Sequence, residues 1–73
     1  MENPLNEIFA LRLKTAMDAK GITINRLAEK CDIPVKKVKS WLDKKNCPRV
    51  TNIRKVVKAL ECSSDYLFGL KDL

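Results

Sequence analysis

Histidine is absent from this chain of 73 residues, so no imidazole is available as a general base or metal ligand. The three cysteines, Cys31, Cys47 and Cys62, lie about 15 residues apart and form no CxxC pair, which excludes the common zinc spacings. Cys31 and Cys62 continue apolar helical patterns and are expected to be reduced core residues. Cys47 lies in a polar segment and is the one thiol placed to react, although nothing marks it as activated.

Long hydrophobic runs are also missing. No apolar stretch approaches the roughly 18 residues of a membrane span, and the first residues, "MENPLNEIFALRLK", have no signal-peptide cleavage pattern. We therefore expect a cytoplasmic protein. One small domain, residues 1–73, is expected, because the chain contains no linker or low-complexity segment and is too short for two cores.

The polar residues do not form a catalytic set. Ser40, Ser63 and Ser64 have no neighbouring group that would activate them, and the aspartates are scattered through turns and helix ends. No spacing of carboxylates is typical of a metal cage. We expect no enzymatic activity, no metal, no cofactor and no small-molecule ligand.

Positive charge is concentrated in one segment. The net charge is +6, yet residues 1–33 carry five basic and five acidic side chains and are neutral. Residues 34–58 carry nine basic side chains and one acidic side chain, whereas residues 59–73 have a net charge of −2. Such segregation indicates a surface that binds a polyanion, because interspersed charges usually serve only solubility.

Apolar residues recur with the 3.6-residue period of amphipathic helices, and no segment is typical of a strand. Helices are predicted to begin at Asn3–Pro4, Thr23, Pro34, Thr51 and Ser63 or Ser64, and Gly21 and Gly69 are predicted to end the first and the last. The apolar stripes contain Leu5, Ile8, Phe9, Leu13, Ala16 and Met17 in the first helix, Ile24, Leu27, Ala28 and Cys31 in the second, Val38, Trp41 and Leu42 in the third, and Ile53, Val56, Val57 and Leu60 in the fourth.

The second and third helices are separated only by "DIP", which is too short for an antiparallel hairpin. Two short helices joined by such a turn form a helix-turn-helix, here at about residues 23–42. The predicted fold is all-α, a compact bundle of about five short helices, with the third helix raised to the surface.

The exposed face of the third helix is polar and positive. At 100° per residue, Val38, Trp41 and Leu42 form one apolar arc, and Lys36 and Ser40 lie about 160° and 200° from Val38. The major groove of DNA admits a helix, and lysine and serine side chains can bond to base edges there. The alternative is that these lysines are only solvated; their concentration on the protruding helix favours DNA.

Further polar residues surround this helix and are predicted to contact phosphates, which supply sequence-independent affinity. They follow the third helix or lie at the start of the second, where backbone N–H groups are exposed. The predicted phosphate contacts are Thr23, Asn25, Lys37, Lys44, Lys45, Asn46, Arg49 and Thr51, with Arg12 on the first helix.

The stretches "RLKTAMDAKGIT", "RLAEKCDIPVKKVKSWL", "CPRVTNIRKVVKALEC" and "SSDYLFGL" resemble the phage repressor and Cro type of helix-turn-helix protein, the XRE family. The resemblance covers about residues 8–70 without gaps. It implies a lambda repressor-like fold and sequence-specific binding to an operator as a dimer. It also implies base contacts from Val35, Lys36, Lys39 and Ser40, with Lys37 nearer the backbone; Val35 is open between groove and core.

Four positions depart from that family pattern. Ile24 replaces a glutamine that bridges a phosphate and a base contact, and Asp32 replaces the glycine of the tight turn. Leu42 replaces a glutamate that pairs with an arginine of the first helix, so Arg12 needs another acceptor or is available to a phosphate. Asp43-Lys44 replaces Asn-Gly. These departures leave the scaffold in place and change the side chains available for contacts with DNA.

Two functions remain open at this point. The first is a phage or prophage-type repressor that binds double-stranded DNA as a weak homodimer at an inverted repeat. The second is a protein-interaction module on the same fold, antitoxin-like or adaptor-like, that contacts its partner through Leu11, Leu70 and Leu73. These leucines serve a homodimer equally well.

Overall fold

The computed structural model describes residues 4–70, which form five helices and, within that range, no strand. The helices are α1 (Pro4–Lys20), α2 (Ile24–Cys31), α3 (Val35–Leu42), α4 (Val50–Leu60) and α5 (Ser64–Leu67). The predicted all-α class is confirmed. The predicted cap at Asn3 and the predicted contact of Leu73 lie outside the described residues.

Side-chain capping agrees with the sequence at two helices and differs at a third. Thr23 Oγ1 accepts a hydrogen bond from the Arg26 N–H (3.2 Å), and Ser63 Oγ accepts one from the Tyr66 N–H (3.1 Å). The predicted cap at Thr51 is wrong, because α4 begins at Val50. Arg49 takes the N-cap position with an extended backbone and makes no side-chain cap bond.

The core lies among the five helices. α1 packs against α3, α4 and α5, while α2 packs against α3 and α4. Phe9 of α1 meets Trp41 of α3 edge to face, with ring centroids 6.2 Å apart, and lies 5.5 Å from the Phe68 ring. Leu13, with no exposed surface, belongs to the same cluster. Aromatic contacts of this kind therefore fix α3 and Phe68, the residue after α5, on α1.

Two residues of the predicted α1 stripe are not buried. Leu5 and Ile8 are 42% and 40% exposed, because the N-terminal part of α1 extends past the edge of the core. The rest of the stripe, from Phe9 to Met17, is buried as predicted.

Left-handed residues follow all five helices, and only two of them are glycines. Gly21 and Gly69 have φ values of 65° and 74°, while Asp32, Lys44 and Glu61 adopt 56°, 65° and 52°. A left-handed residue after a helix lets its own N–H group and that of the following residue bond to the last carbonyls of the helix. The N–H groups of Asp32 and Ile33, for example, bond to the carbonyls of Glu29 and Ala28. Asp32 thus performs the role of a glycine in the turn between α2 and α3.

Alanine at the two glycines should separate backbone strain from crowding. We expect Gly21→Ala to cost about 1 kcal/mol, because L-residues are strained at positive φ and no atom lies within 4 Å of the added Cβ. Gly69→Ala should cost about 2–3 kcal/mol, because a Cβ there would also lie 2.8 Å from Ile8 Cγ2. Urea unfolding of both variants measures the difference. Equal costs would show that Ile8 does not restrict this position.

The packing of α2 and α3 produces the predicted helix-turn-helix. Asp32, Ile33 and Pro34 join the two helices, and α3 begins at Val35, directly after the proline. The backbone of Pro34, with φ −65° and ψ 142°, sets the point at which the helix begins. No helix in residues 4–70 is long and apolar enough to cross a membrane.

Candidate nucleic-acid interface

The third helix is anchored on one face and exposed on the other. Val38 and Trp41 are 0% and 2% exposed, and both belong to the core. On the opposite face Lys36 and Lys39 are exposed, while Ser40 is half-buried. The predicted division of α3 into a buried and an exposed face is thereby confirmed. A helix anchored in this way holds its exposed side chains in a fixed orientation.

Val35 is half-buried and packs against the core. Its position at the start of α3 leaves part of its surface outside. One part of the Val35 side chain therefore contacts the core and another part is exposed. Its predicted base contact stays a prediction.

A groove of about 550 Å³ runs beside α3 and brings several predicted contact residues together. We call it the α3–loop groove, because α3, the α3–α4 loop (residues 43–49) and the first turn of α4 line it. Its lining contains three cations and no carboxylate. The charge of the lining is therefore only positive, which favours binding of a phosphate backbone. The lining residues are Pro34, Lys36, Lys37, Ser40, Trp41, Asn46, Cys47, Pro48, Arg49 and Asn52.

Two other predicted phosphate contacts lie in a second groove. Thr23 and Lys44 line a cleft of about 850 Å³ that runs along α1 and is bordered by the turn after α1 and by the end of α3. This larger groove is more apolar, and its charged lining residues are of both signs: Glu7 and Asp18 oppose Lys14 and Lys44. Its mixed charge makes it a poorer polyanion site than the α3–loop groove, despite its greater size.

The remaining predicted contacts occupy separate positions. Asn25, Lys39, Lys45 and Thr51 are exposed and line neither groove. Arg12 is half-buried, and its guanidinium lies 4.6 Å from the centroid of the Tyr66 ring. With Leu42 in place of a glutamate, the arginine of α1 uses an aromatic face of α5 as one of its partners. Its predicted phosphate contact is not part of the α3–loop groove.

Two asparagines that lie near this surface were not predicted from the sequence. Asn52 lines the α3–loop groove from the first turn of α4. Asn6 of α1 contacts the α3–α4 loop: the Cys47 thiol donates to Asn6 Oδ1 (2.9 Å), and Asn6 Nδ2 lies 3.5 Å from the Lys44 carbonyl oxygen. No local pattern indicates a contact between residues 41 positions apart.

All three thiols are free, and burial raises the pKa of each. Cys47, the thiol expected to react, is half-buried, and desolvation raises its pKa above the usual value of 9.0. It is therefore protonated at neutral pH and is not an activated nucleophile. Among residues 4–70, no group of carboxylates and thiols is arranged to hold a metal ion.

Comparisons with known proteins give one family and one solved structure. A family model described as helix-turn-helix matches residues 13–67. The crystal structure of the restriction-modification controller protein C.AhdI from Aeromonas hydrophila matches with a TM-score of 0.77 and 26% sequence identity. The match covers 84% of this chain and 92% of that chain. No curated protein sequence matches this one.

Proposed function

Since the chain belongs to the helix-turn-helix family of the XRE (Cro/C1) type, we propose that it binds an inverted repeat in double-stranded DNA as a homodimer and represses transcription there. The observation that carries this proposal is the composition of α3. Its inner face is locked in the core by Val38 and Trp41, while its outer face presents Lys36 and Ser40 beside a groove without carboxylates. A DNA-binding transcriptional regulator is the general class that the family and the similarity to C.AhdI support.

In this proposal the outer face of α3 enters the major groove. Val35, Lys36, Lys39 and Ser40 contact base edges. The lysines donate to guanine acceptors, Ser40 donates or accepts, and the exposed part of Val35 packs on a thymine methyl. Lys37, Asn46, Arg49 and Asn52 hold the backbone along the α3–loop groove, while the remaining predicted phosphate contacts add to the affinity at the edges of the interface.

A second copy of the chain completes the site. Half-sites of an inverted repeat lie about 34 Å apart, and the longest extent of the described chain is 29 Å, so two copies side by side reach successive turns of DNA. Exposed apolar side chains are available for such a contact: Val50 and Leu70 are 76% and 78% exposed, and Leu11 is 66% exposed. Val50 belongs to α4 and follows the loop that carries the cations, so a contact there would join two DNA-binding faces.

Occlusion of a promoter is the mechanism that we propose, with no enzymatic step and no cofactor, in the cytoplasm. The sequence resemblance favours a phage or prophage repressor. The similarity to a restriction-modification controller supports control of a restriction-modification operon as a second setting. Both settings use the same DNA-binding surface.

The test is a double substitution, Lys36→Ala with Ser40→Ala, on the outer face of α3. A fluorescent duplex is first selected by the wild-type protein from a random-sequence library. We expect the double variant to bind it at least about 30-fold more weakly and to lose preference at the contacted base pairs, because each of the two lost base contacts is worth about 1–3 kcal/mol. Anisotropy titration measures the affinity, and analytical ultracentrifugation measures the oligomeric state, which should not change.

The rival function, a protein-interaction module, is favoured by the exposure of Leu11, Val50 and Leu70. Such a protein should bind its partner equally well with or without Lys36 and Ser40. Failure of the wild-type protein to select any duplex, or full affinity of the double variant, would support this rival over the repressor.

A further inference from the structure

The α3–α4 loop carries three of the proposed phosphate-binding cations, Lys44, Lys45 and Arg49, so its position decides where they point. Its beginning is fixed by backbone bonds: the Lys44 N–H donates to the Trp41 carbonyl and the Lys45 N–H to the Ser40 carbonyl, both at 3.1 Å. The rest of the loop has no regular backbone bonding of its own until the Arg49 carbonyl accepts from the Ile53 N–H (2.9 Å). Side-chain contacts must therefore position the middle of the loop.

Asn6 supplies such contacts from α1. Its Oδ1 accepts from the Cys47 thiol at 2.9 Å, and its Nδ2 lies 3.5 Å from the Lys44 carbonyl oxygen. The first contact is the stronger, because 3.5 Å is at the limit of hydrogen bonding. One orientation of the amide serves both, since the reversed amide would turn its oxygen toward the Lys44 carbonyl. A single side chain thus bridges two points of the loop three residues apart.

Burial strengthens this bridge. Asn6 and Cys47 are both half-buried, and Cys47 also packs against the core. Because burial keeps the Cys47 pKa high, the thiol retains its proton at neutral pH and remains a donor.

We propose that Asn6 and Cys47 are positioning residues that hold the α3–α4 loop in the conformation in which its cations contact DNA phosphates. This inference rests on the proposed function. Neither side chain is among the proposed DNA contacts; both act through Lys44, Lys45 and Arg49. Their loss should weaken the sequence-independent part of binding and leave the sequence preference of α3 in place.

The experiment compares four variants with the wild-type protein: Asn6→Ala, Cys47→Ala, the double variant, and Cys47→Ser, which retains an O–H donor. Thr15→Ala is the matched control, because Thr15 is an exposed α1 residue whose hydroxyl bonds only locally, to the Leu11 carbonyl (3.0 Å). A labelled duplex of mixed sequence is titrated at several salt concentrations. Amide hydrogen exchange of the free proteins reports on the loop without DNA.

We expect Asn6→Ala and Cys47→Ala to weaken binding about 3- to 10-fold, the range of one lost hydrogen bond. The salt slope should fall by about 1–2, since each phosphate contact contributes about 0.9. The double variant should bind the duplex no more weakly than the weaker-binding of the two single alanine variants. Cys47→Ser should keep most of the wild-type affinity. Exchange should quicken between Lys44 and Arg49 in the alanine variants and remain unchanged in Thr15→Ala.

Three results would overturn the inference. If loop exchange and the salt slope of Asn6→Ala equal those of the wild type, Asn6 does not position the loop, while the proposed function stands. If Cys47→Ser binds as weakly as Cys47→Ala, the hydrogen bond that Cys47 donates to Asn6 does not hold the loop, and the proposed bridge fails. If the wild-type protein shows no salt-dependent binding to any duplex, the proposed function fails, and the inference fails with it.

Discussion

Replacing Trp41 with alanine should cost about 3–5 kcal/mol of unfolding free energy, the range for truncation of a large buried aromatic residue. Trp41 is 2% exposed and meets Phe9 edge to face, and it joins α3 to α1 across the core. A domain of this length has a stability of about 4–11 kcal/mol, so the loss amounts to at least about a quarter of the stability and, at the lower end of that range, to all of it.

Trp41→Phe is the matched control. It retains an aromatic ring opposite Phe9 and should cost clearly less than alanine, since most of the buried volume is kept. Circular dichroism and urea unfolding measure both variants. A Trp41→Ala protein of near wild-type stability would show that α3 does not depend on this anchor, and would remove the basis for a rigid base-reading face.

Removing the cations of the α3–loop groove should have the largest effect on binding. We expect the triple variant Lys36→Ala, Lys37→Ala and Arg49→Ala to lose about 100-fold or more in affinity for duplex DNA at constant salt, and its salt slope to fall by about 2–3. The physical reason is that these three side chains line one groove without a neighbouring carboxylate, so each would release counterions from the DNA on binding. Anisotropy titrations at several salt concentrations measure both quantities.

A second triple variant separates this local effect from net charge. Alanine at Lys14, Lys20 and Lys30, which lie outside the basic segment, lowers the net charge from +6 to +3, as the first triple variant does. The affinity should fall much less, and the salt slope should stay near the wild-type value. Equal losses in the two variants would mean that overall charge, and not the α3–loop groove, attracts DNA.

Most of the fold could be predicted because its boundaries are encoded locally. Thr23 caps α2 and Pro34 begins α3, so the helix-turn-helix lies where residue types alone placed it. The buried faces of these helices follow from the 3.6-residue period. Asp32 stands at the position where the family has the glycine of the tight turn, and it adopts the left-handed conformation of that glycine.

The errors arose where tertiary structure overrides local preference. Thr51 is a favourable cap residue, yet the N-cap position is taken by Arg49, two residues earlier, with an extended backbone. Leu5 and Ile8 fit the periodicity of α1 but extend beyond the edge of the core. Periodicity cannot show where a core ends, because that depends on which helices pack alongside.

The candidate site was predicted in part. The outer face of α3 follows from its sequence, and Lys36, Lys37, Asn46 and Arg49 do come together in one groove. The contact of Asn6 with the loop and the contact of Arg12 with Tyr66 join residues distant in sequence, so no single-sequence pattern revealed them.

The ratio of the wild-type affinities for a selected duplex and for a mixed-sequence duplex tests the central claim most directly, at one salt concentration near physiological. If α3 reads base edges as proposed, the ratio should be about 1,000 or more, and the selected sites should be inverted repeats. A ratio near one would contradict the claim, because it would show that the cations of α3 bind DNA without reading its sequence.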